Sequence, residues 1–184
     1  MNVPDALRTD TTILVLIDYQ ERLFPAMHDP DRLLPSVLKL VKGAAALGLP
    51  VIMTEQYPRG LGPMLPQIKE LLPGVTPVEK TCFSAPDEAA FTKAMLASRR
   101  HQVLLAGIET HICIYQTALD LLRNDFQVHV VTDCCASRDP ANETAAHERM
   151  RDAGACLTNT EMALFELLKE GRGEVFKQIS AIVK

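Results

Sequence analysis

The sequence has no surplus of positive charge: 19 lysines and arginines face 23 aspartates and glutamates, for a formal net charge of −4. With no basic stripe to neutralise a row of phosphates, nucleic acid is not expected as a partner. Long hydrophobic runs are missing too. The longest purely aliphatic stretch is residues 13–17, far short of the roughly 20 residues that cross a bilayer, so no membrane association is expected. Residues 1–12 are polar and carry Asp5 and Asp10 where a secretion signal would be basic and then apolar. The five cysteines are an odd number, unevenly scattered. They do not make a disulfide framework and fit reduced thiols in a cytoplasmic protein. There is no internal repeat, low-complexity tract or linker, and a chain of 184 residues suits one domain over its whole length, 1–184.

Signatures for cofactors and metals are incomplete. Gly60-Leu61-Gly62 runs into a proline and no helix, so it is a loop and not a dinucleotide fingerprint. His111 and Cys113 have no second pair to complete a zinc site. His147-Glu148 lacks the second histidine of a zincin helix. His28, His101 and His129 stand in no partner pattern, and the adjacent Cys134 and Cys135 read as packing residues. No cofactor and no metal is expected.

What the chain does have is a recurring unit: a short apolar run, a turn, then a helical pattern. The apolar runs are residues 13–17, 50–54, 75–79, 102–106, 127–132 and 155–158. Their continuous hydrophobicity suits parallel strands buried on both faces. Residues 34–47 place Val37, Leu38, Val41, Ala44 and Ala45 on one helical face, with Gly48 as the stop. Helices are also predicted over 87–99, 112–123, 161–170 and 174–183, and one opened by Asp139-Pro140 and closed by Gly154. Alternating strands and helices imply an α/β fold: a parallel sheet with right-handed crossovers and helices on both faces. Ligands in such sheets bind beyond the carboxyl ends of the strands, where strand order reverses. The polar residues that follow the strands are Asp18, Gln56, Lys80, the segment 109–113 and Asp133.

Three of these can carry chemistry together. Cys113 follows a strand through a short turn and is expected in the first turn of the next helix, where unpaired N–H groups favour a thiolate. Its other reading is a small buried hydrophobe. Asp18 ends an aliphatic strand abruptly, and a charge there needs a partner or a task. It either caps a neighbouring turn or takes the thiol proton. Lys80 holds the equivalent place after the weak third strand, either as a solvated charge or as the group that tunes the carboxylate and steadies negative charge.

In that order and spacing, Leu16-Ile17-Asp18-Tyr19-Gln20, Glu79-Lys80-Thr81-Cys82-Phe83-Ser84 and Gly107-Ile108-Glu109-Thr110-His111-Ile112-Cys113 resemble the isochorismatase-like cysteine hydrolase superfamily. The resemblance runs from Thr12 to about Ala163. It implies a six-stranded, Rossmann-like parallel sheet of order 3-2-1-4-5-6 in a three-layer α/β/α sandwich. It also implies an Asp-Lys-Cys triad on Asp18, Lys80 and Cys113. A non-proline cis peptide would fall at Ile108–Glu109, turning the N–H groups of Glu109 and Cys113 toward one oxyanion. Nicotinamidases of this superfamily carry an Asp-x-His metal motif after the second strand. This chain reads Thr54-Glu55-Gln56-Tyr57-Pro58 there, so it resembles the metal-free, isochorismatase-domain branch.

Phe24, Gln56, Tyr57, Phe83 and Ile114 flank the triad segments and are expected to line the substrate pocket. The leading expectation is a cysteine hydrolase that cleaves a carbon–nitrogen bond of a small amide-like molecule through a thioester. Relatives imply a homo-oligomer. Two other classes stay open: a thiol redox sensor, with Cys82 as the placed second thiol, and a binding scaffold without turnover.

Overall fold

The computed structural model describes residues 5–184. The aliphatic run near the start becomes the centre of a sheet because it has no polar face to turn toward water: all six residues of β1 (Thr12–Ile17) are buried. Alternation along it feeds two cores. Leu14 and Leu16 point into one, Ile13, Val15 and Ile17 into the other.

β2 (Val51–Gln56), β3 (Val78–Lys80), β4 (Gln102–Ile108), β5 (Gln127–Ala136) and β6 (Cys156–Thr158) complete one sheet, ordered 3-2-1-4-5-6 with every pairing parallel. On one face lie α1 (Pro30–Ala46) and α7 (Thr160–Leu168), which contribute Val37, Leu40, Val41, Ala163 and Leu167 to the first core. α8 (Glu174–Val183) rests on both of them. Gly43 of α1 packs against Leu164 of α7. A Cβ there would stand 2.4 Å from Leu164 Cδ2, nearer than side chains approach. The other face is covered by α4 (Ala89–Ser98), α5 (Tyr115–Arg123) and α6 (Pro140–Asp152), through Phe91, Met95, Ala118, Leu121, Ala146 and Met150. The architecture is the three-layer sandwich and strand order that the sequence implies.

Boundaries moved where proline and a bulge intervene. β3 begins at Val78 instead of residue 75, because Pro77 has no N–H to give the ladder. α1 begins four residues before the expected start. Asp29 accepts a hydrogen bond from Arg32 N, Pro30 takes the first turn and Pro35 lies inside the helix. β5 runs on to Ala136, and its register against β4 slips from Leu105↔Val130 to Gly107↔Cys135. Two short helices, α2 (Pro58–Leu61) and α3 (Pro66–Lys69), fill the connection from β2 to β3. Among the described residues no helix is long and apolar enough to cross a membrane.

Strand order reverses between β1 and β4, so the crevice at their carboxyl ends is the topological switch point. Asp18 leaves β1 there and the turn carrying Cys113 leaves β4 beside it.

Candidate active site

Asp18 begins the site. Its φ of 58° is a left-handed conformation that few side chains adopt, and asparate is among those that tolerate it. The kink turns the side chain across the edge of the sheet. Asp18 is fully buried, and both carboxylate oxygens are engaged: Oδ1 accepts from Thr54 Oγ1 at 2.6 Å and Oδ2 from Lys80 Nζ at 2.7 Å. Thr54 was not singled out from sequence. The register that sets it opposite Ile17 is what brings it within reach.

Lys80 closes β3 with a side chain that water does not touch. Its ammonium donates to Asp18, to Gln56 Oε1 at 2.6 Å and, at 3.3 Å, to the carbonyl of Cys82. Cys113 Sγ lies 3.8 Å away. A buried ammonium needs such company, since desolvation costs several kcal/mol unless the charge is paired and hydrogen-bonded. Gln56 supplies part of it and is held to the task. Its Nε2 donates to Thr81 O at 2.8 Å, which turns Oε1 toward Lys80. The side chain of Gln20 brackets the Gln56 backbone, accepting from its N–H at 2.7 Å and donating to its carbonyl at 3.0 Å.

The sulfur arrives from β4. Gly107 has φ 153°, and a Cβ on it would stand 2.4 Å from Ile17 O and 2.8 Å from Ile114 Cδ1, so only glycine lets β4 pass β1 this closely. The Ile108–Glu109 peptide is cis, as the resemblance implies. A π-helical turn, Thr110–Ile114, then carries Cys113 just before α5. Wide turns of this kind recur at functional positions. The carbonyl of Glu109 accepts from the N–H groups of Ile112 and Ile114, on either side of Cys113.

One electrostatic expectation is corrected. Cys113 was expected to gain thiolate character from its helix end and from Lys80, against an opposing pull from the Asp18 charge. Burial instead pushes the thiol up to about 12, Asp18 adds to the rise, and Lys80 offsets only part of it. The resting group is a neutral thiol beside a paired carboxylate.

The five expected pocket residues separate into three groups. Tyr57 is exposed and lines a cleft of about 340 Å³ with Arg59, Glu79, Thr81 and Glu88, reaching Lys80. Phe83 is also exposed at the site's rim. Gln56 is a partner of Lys80 and not a free wall of the pocket. Phe24 and Ile114 lie in the core: Phe24 packs against Tyr19 with ring centroids 6.3 Å apart, and Ile114 is fully buried against Gly107. In place of a metal motif, Thr54 serves Asp18, Glu55 accepts from Met64 N at 2.7 Å, and Gln56 serves Lys80.

Strand order 3-2-1-4-5-6 is shared with dinucleotide-binding folds, so it is family membership that marks this sandwich as a hydrolase fold. The isochorismatase domain matches residues 12–162, and the chain belongs to that family. Mouse isochorismatase domain-containing protein 2A is 40% identical over 95% of this chain and 84% of its own length. Among solved structures, YcaC from Pseudomonas aeruginosa, determined with hexane-2,5-diol and covalent acrylamide, is 30% identical (TM-score 0.94, covering 100% of this chain and 92% of the other). A protein from Caenorhabditis elegans described as MAR1 ribonuclease is 33% identical (TM-score 0.89, 97% and 92%). The YcaC gene product of Escherichia coli, described as an octameric hydrolase of unknown specificity, is 27% identical (TM-score 0.94, 99% and 91%).

Proposed function

We propose that the protein is a cysteine-dependent hydrolase of a carbon–nitrogen bond in a small amide-like molecule, working without a metal. The observation that carries this reading is the ammonium of Lys80, set between the Asp18 carboxylate at 2.7 Å and the Cys113 sulfur at 3.8 Å in a water-excluded corner of the switch point. Nothing in a core needs a thiol, a cation and a carboxylate at one spot.

Cys113 Sγ attacks the substrate carbonyl carbon as its proton passes to Asp18. The sulfur–carbon bond forms and the π pair moves to oxygen, which accepts from the N–H groups of Glu109 and Cys113. Collapse expels the amine, which leaves with the proton from Asp18. Water then attacks the thioester, Asp18 takes its proton, and the acid departs as the thiol is restored. Lys80 holds the Asp18 carboxylate by a 2.7 Å hydrogen bond and faces the charge that develops nearby. A neutral resting thiol suits this sequence, because proton and bond move together.

The P. aeruginosa relative holds acrylamide covalently, and acrylamide is an electrophile that thiols add to. The octameric E. coli relative supports a homo-oligomer for this chain also. The ribonuclease description belongs to the worm protein. Here the buried cation is already paired and the net charge is −4, a poor setting for a phosphodiester chain. The test is a panel of small amides and ureas against wild type and Cys113→Ala, with intact mass read during turnover. Ammonia or amine release with a transient acyl adduct on the Cys113 peptide is the expected result. Turnover that persists in Cys113→Ala overturns the reading.

A further inference from the structure

The turn that carries Cys113 is held from outside by two residues that follow β5. Arg138 grips Glu109 Oε2 twice, through its backbone N–H at 3.1 Å and its guanidinium Nε at 3.0 Å. Ser137 Oγ lies 2.9 Å from His111 Nδ1, and the Ser137 carbonyl accepts from His28 N at 2.9 Å. Glu109 is buried, whereas the Arg138 side chain is 63% exposed.

We infer that Arg138 is a positioning residue for the proposed reaction, fixing Glu109 and cancelling its carboxylate charge beside the place where the oxyanion forms. The inference rests on the proposed function. Only Cα, Cβ and Cγ separate the Glu109 carboxylate from the N–H that faces the oxyanion. An uncancelled negative charge on the order of 5–8 Å from a second one raises the barrier to forming it. The covalent frame leaves Glu109 no way to move its carboxylate far from its own N–H, so the counter-charge has to come to it. Arg138 is the cation that reaches it, and its backbone N–H keeps Glu109 in place even when the side chain is changed.

Two reagents for the same sulfur separate this role from a general one. Iodoacetamide alkylates Cys113 by displacement at an sp³ carbon and builds no oxyanion. 4-Nitrophenyl acetate must build one: sulfur bonds to the carbonyl carbon, the thiol proton passes to Asp18, the π pair moves to oxygen, and collapse breaks the C–O bond to release 4-nitrophenolate. Arg138→Met is expected to slow the acylation burst about tenfold while alkylation of Cys113 stays within about twofold of wild type. Arg138→Lys, which keeps the charge, is expected to recover most of the burst. Glu109→Gln in the Arg138→Met background, which removes the charge that needed cancelling, is expected to do the same. Thermal melts accompany each variant.

An acylation rate in Arg138→Met equal to wild type overturns the inference and leaves the proposed function standing. Equal slowing of acylation and alkylation overturns it too, because the effect would then lie on the sulfur. So does a double variant as slow as Arg138→Met. A wild-type protein that takes iodoacetamide on Cys113 but never acylates overturns the proposed function and this inference with it.

Discussion

Asp18 and Asp133 stand at the same edge of one sheet, each closing an apolar run and each close to a cysteine, and they are used in opposite ways. Asp133 is spent on the backbone: its Oδ1 accepts from Thr160 N at 2.8 Å and Thr160 Oγ1 at 3.0 Å, which secures the entry to α7. Its neighbours Cys134 and Cys135 are pushed far up by burial, and Cys134 Sγ lies 3.1 Å from the Thr160 hydroxyl. Asp18 faces a cation and, beyond it, Cys113. The two thiol settings are equally dry, with Cys113 at 5% and Cys135 at 4% exposure. Burial therefore does not distinguish a candidate nucleophile from a packing residue here. The Lys80 ammonium beside the sulfur does.

Replacing the two sulfurs in turn tests that contrast most severely. Cys113→Ala is expected to lower amide hydrolysis by at least about a thousandfold and to remove the iodoacetamide label from native protein. Cys135→Ala should leave the rate within about twofold, as a small packing change does. Peptide mapping and product release read both. Comparable losses in the two variants would erase the distinction between the corners.

Lys80→Met breaks the contrast from the other side, by leaving Asp18 buried without its cation. Stripping one partner from a buried pair costs about 3–5 kcal/mol, to be read by urea denaturation. Adding Asp18→Asn removes the orphaned charge, so the double variant should recover much of the stability and none of the activity. A Lys80→Met protein within about 1 kcal/mol of wild type would mean that the pair is not a closed ionic unit. Asp133→Asn is milder. It weakens a cap, at a cost of about 1 kcal/mol, and should leave Cys113 labelling unchanged. A fall in labelling would tie the two corners together.

The architecture was legible because buried parallel strands announce themselves as continuous aliphatic runs, and the motif order implied the sheet order. The convergence of Asp18, Lys80 and Cys113 was legible too, since all three follow strands that end at one edge. The surrounding contacts were not. Thr54 and Gln56 point the right way only through the register of β2 between β1 and β3, and register is a tertiary property that no single strand carries. Arg138 reaches Glu109 only because β5 slips against β4 and sets its end beside the turn. The burial of Phe24 and Ile114 was not legible for the converse reason: closeness in sequence to a motif says nothing about which side of the sheet edge a side chain faces. The direction of the thiol shift was missed because burial depth is invisible in sequence, while a lysine and a helix end are easy to see.

The smallest effect expected is a change in slope. Cys113 rises from an ordinary value near 9 to about 12, so in that window the unfolded chain has released a proton that the native protein keeps. The unfolded state then binds fewer protons, and stability falls as pH rises. The contribution is complete below pH 9 and disappears on the way to pH 12. Between pH 8 and 10 it amounts to about 1 kcal/mol. Urea denaturation at pH 8, 9 and 10 should therefore show a shallower alkaline decline in Cys113→Ala than in wild type. Cys135→Ala should flatten the decline in the same direction, because its thiol is raised by burial as well. Alkylation divides what stability does not. The Cys113 label should gain roughly tenfold per pH unit as the thiolate fraction grows, while Cys135, held up by burial and by the nearby Glu143 and Asp133 carboxylates, should stay unlabelled in the folded protein. A steeper alkaline decline in Cys113→Ala than in wild type would show the native thiol ionised before the unfolded one. The proposed first step would then have to start from a thiolate, with nothing left for Asp18 to accept.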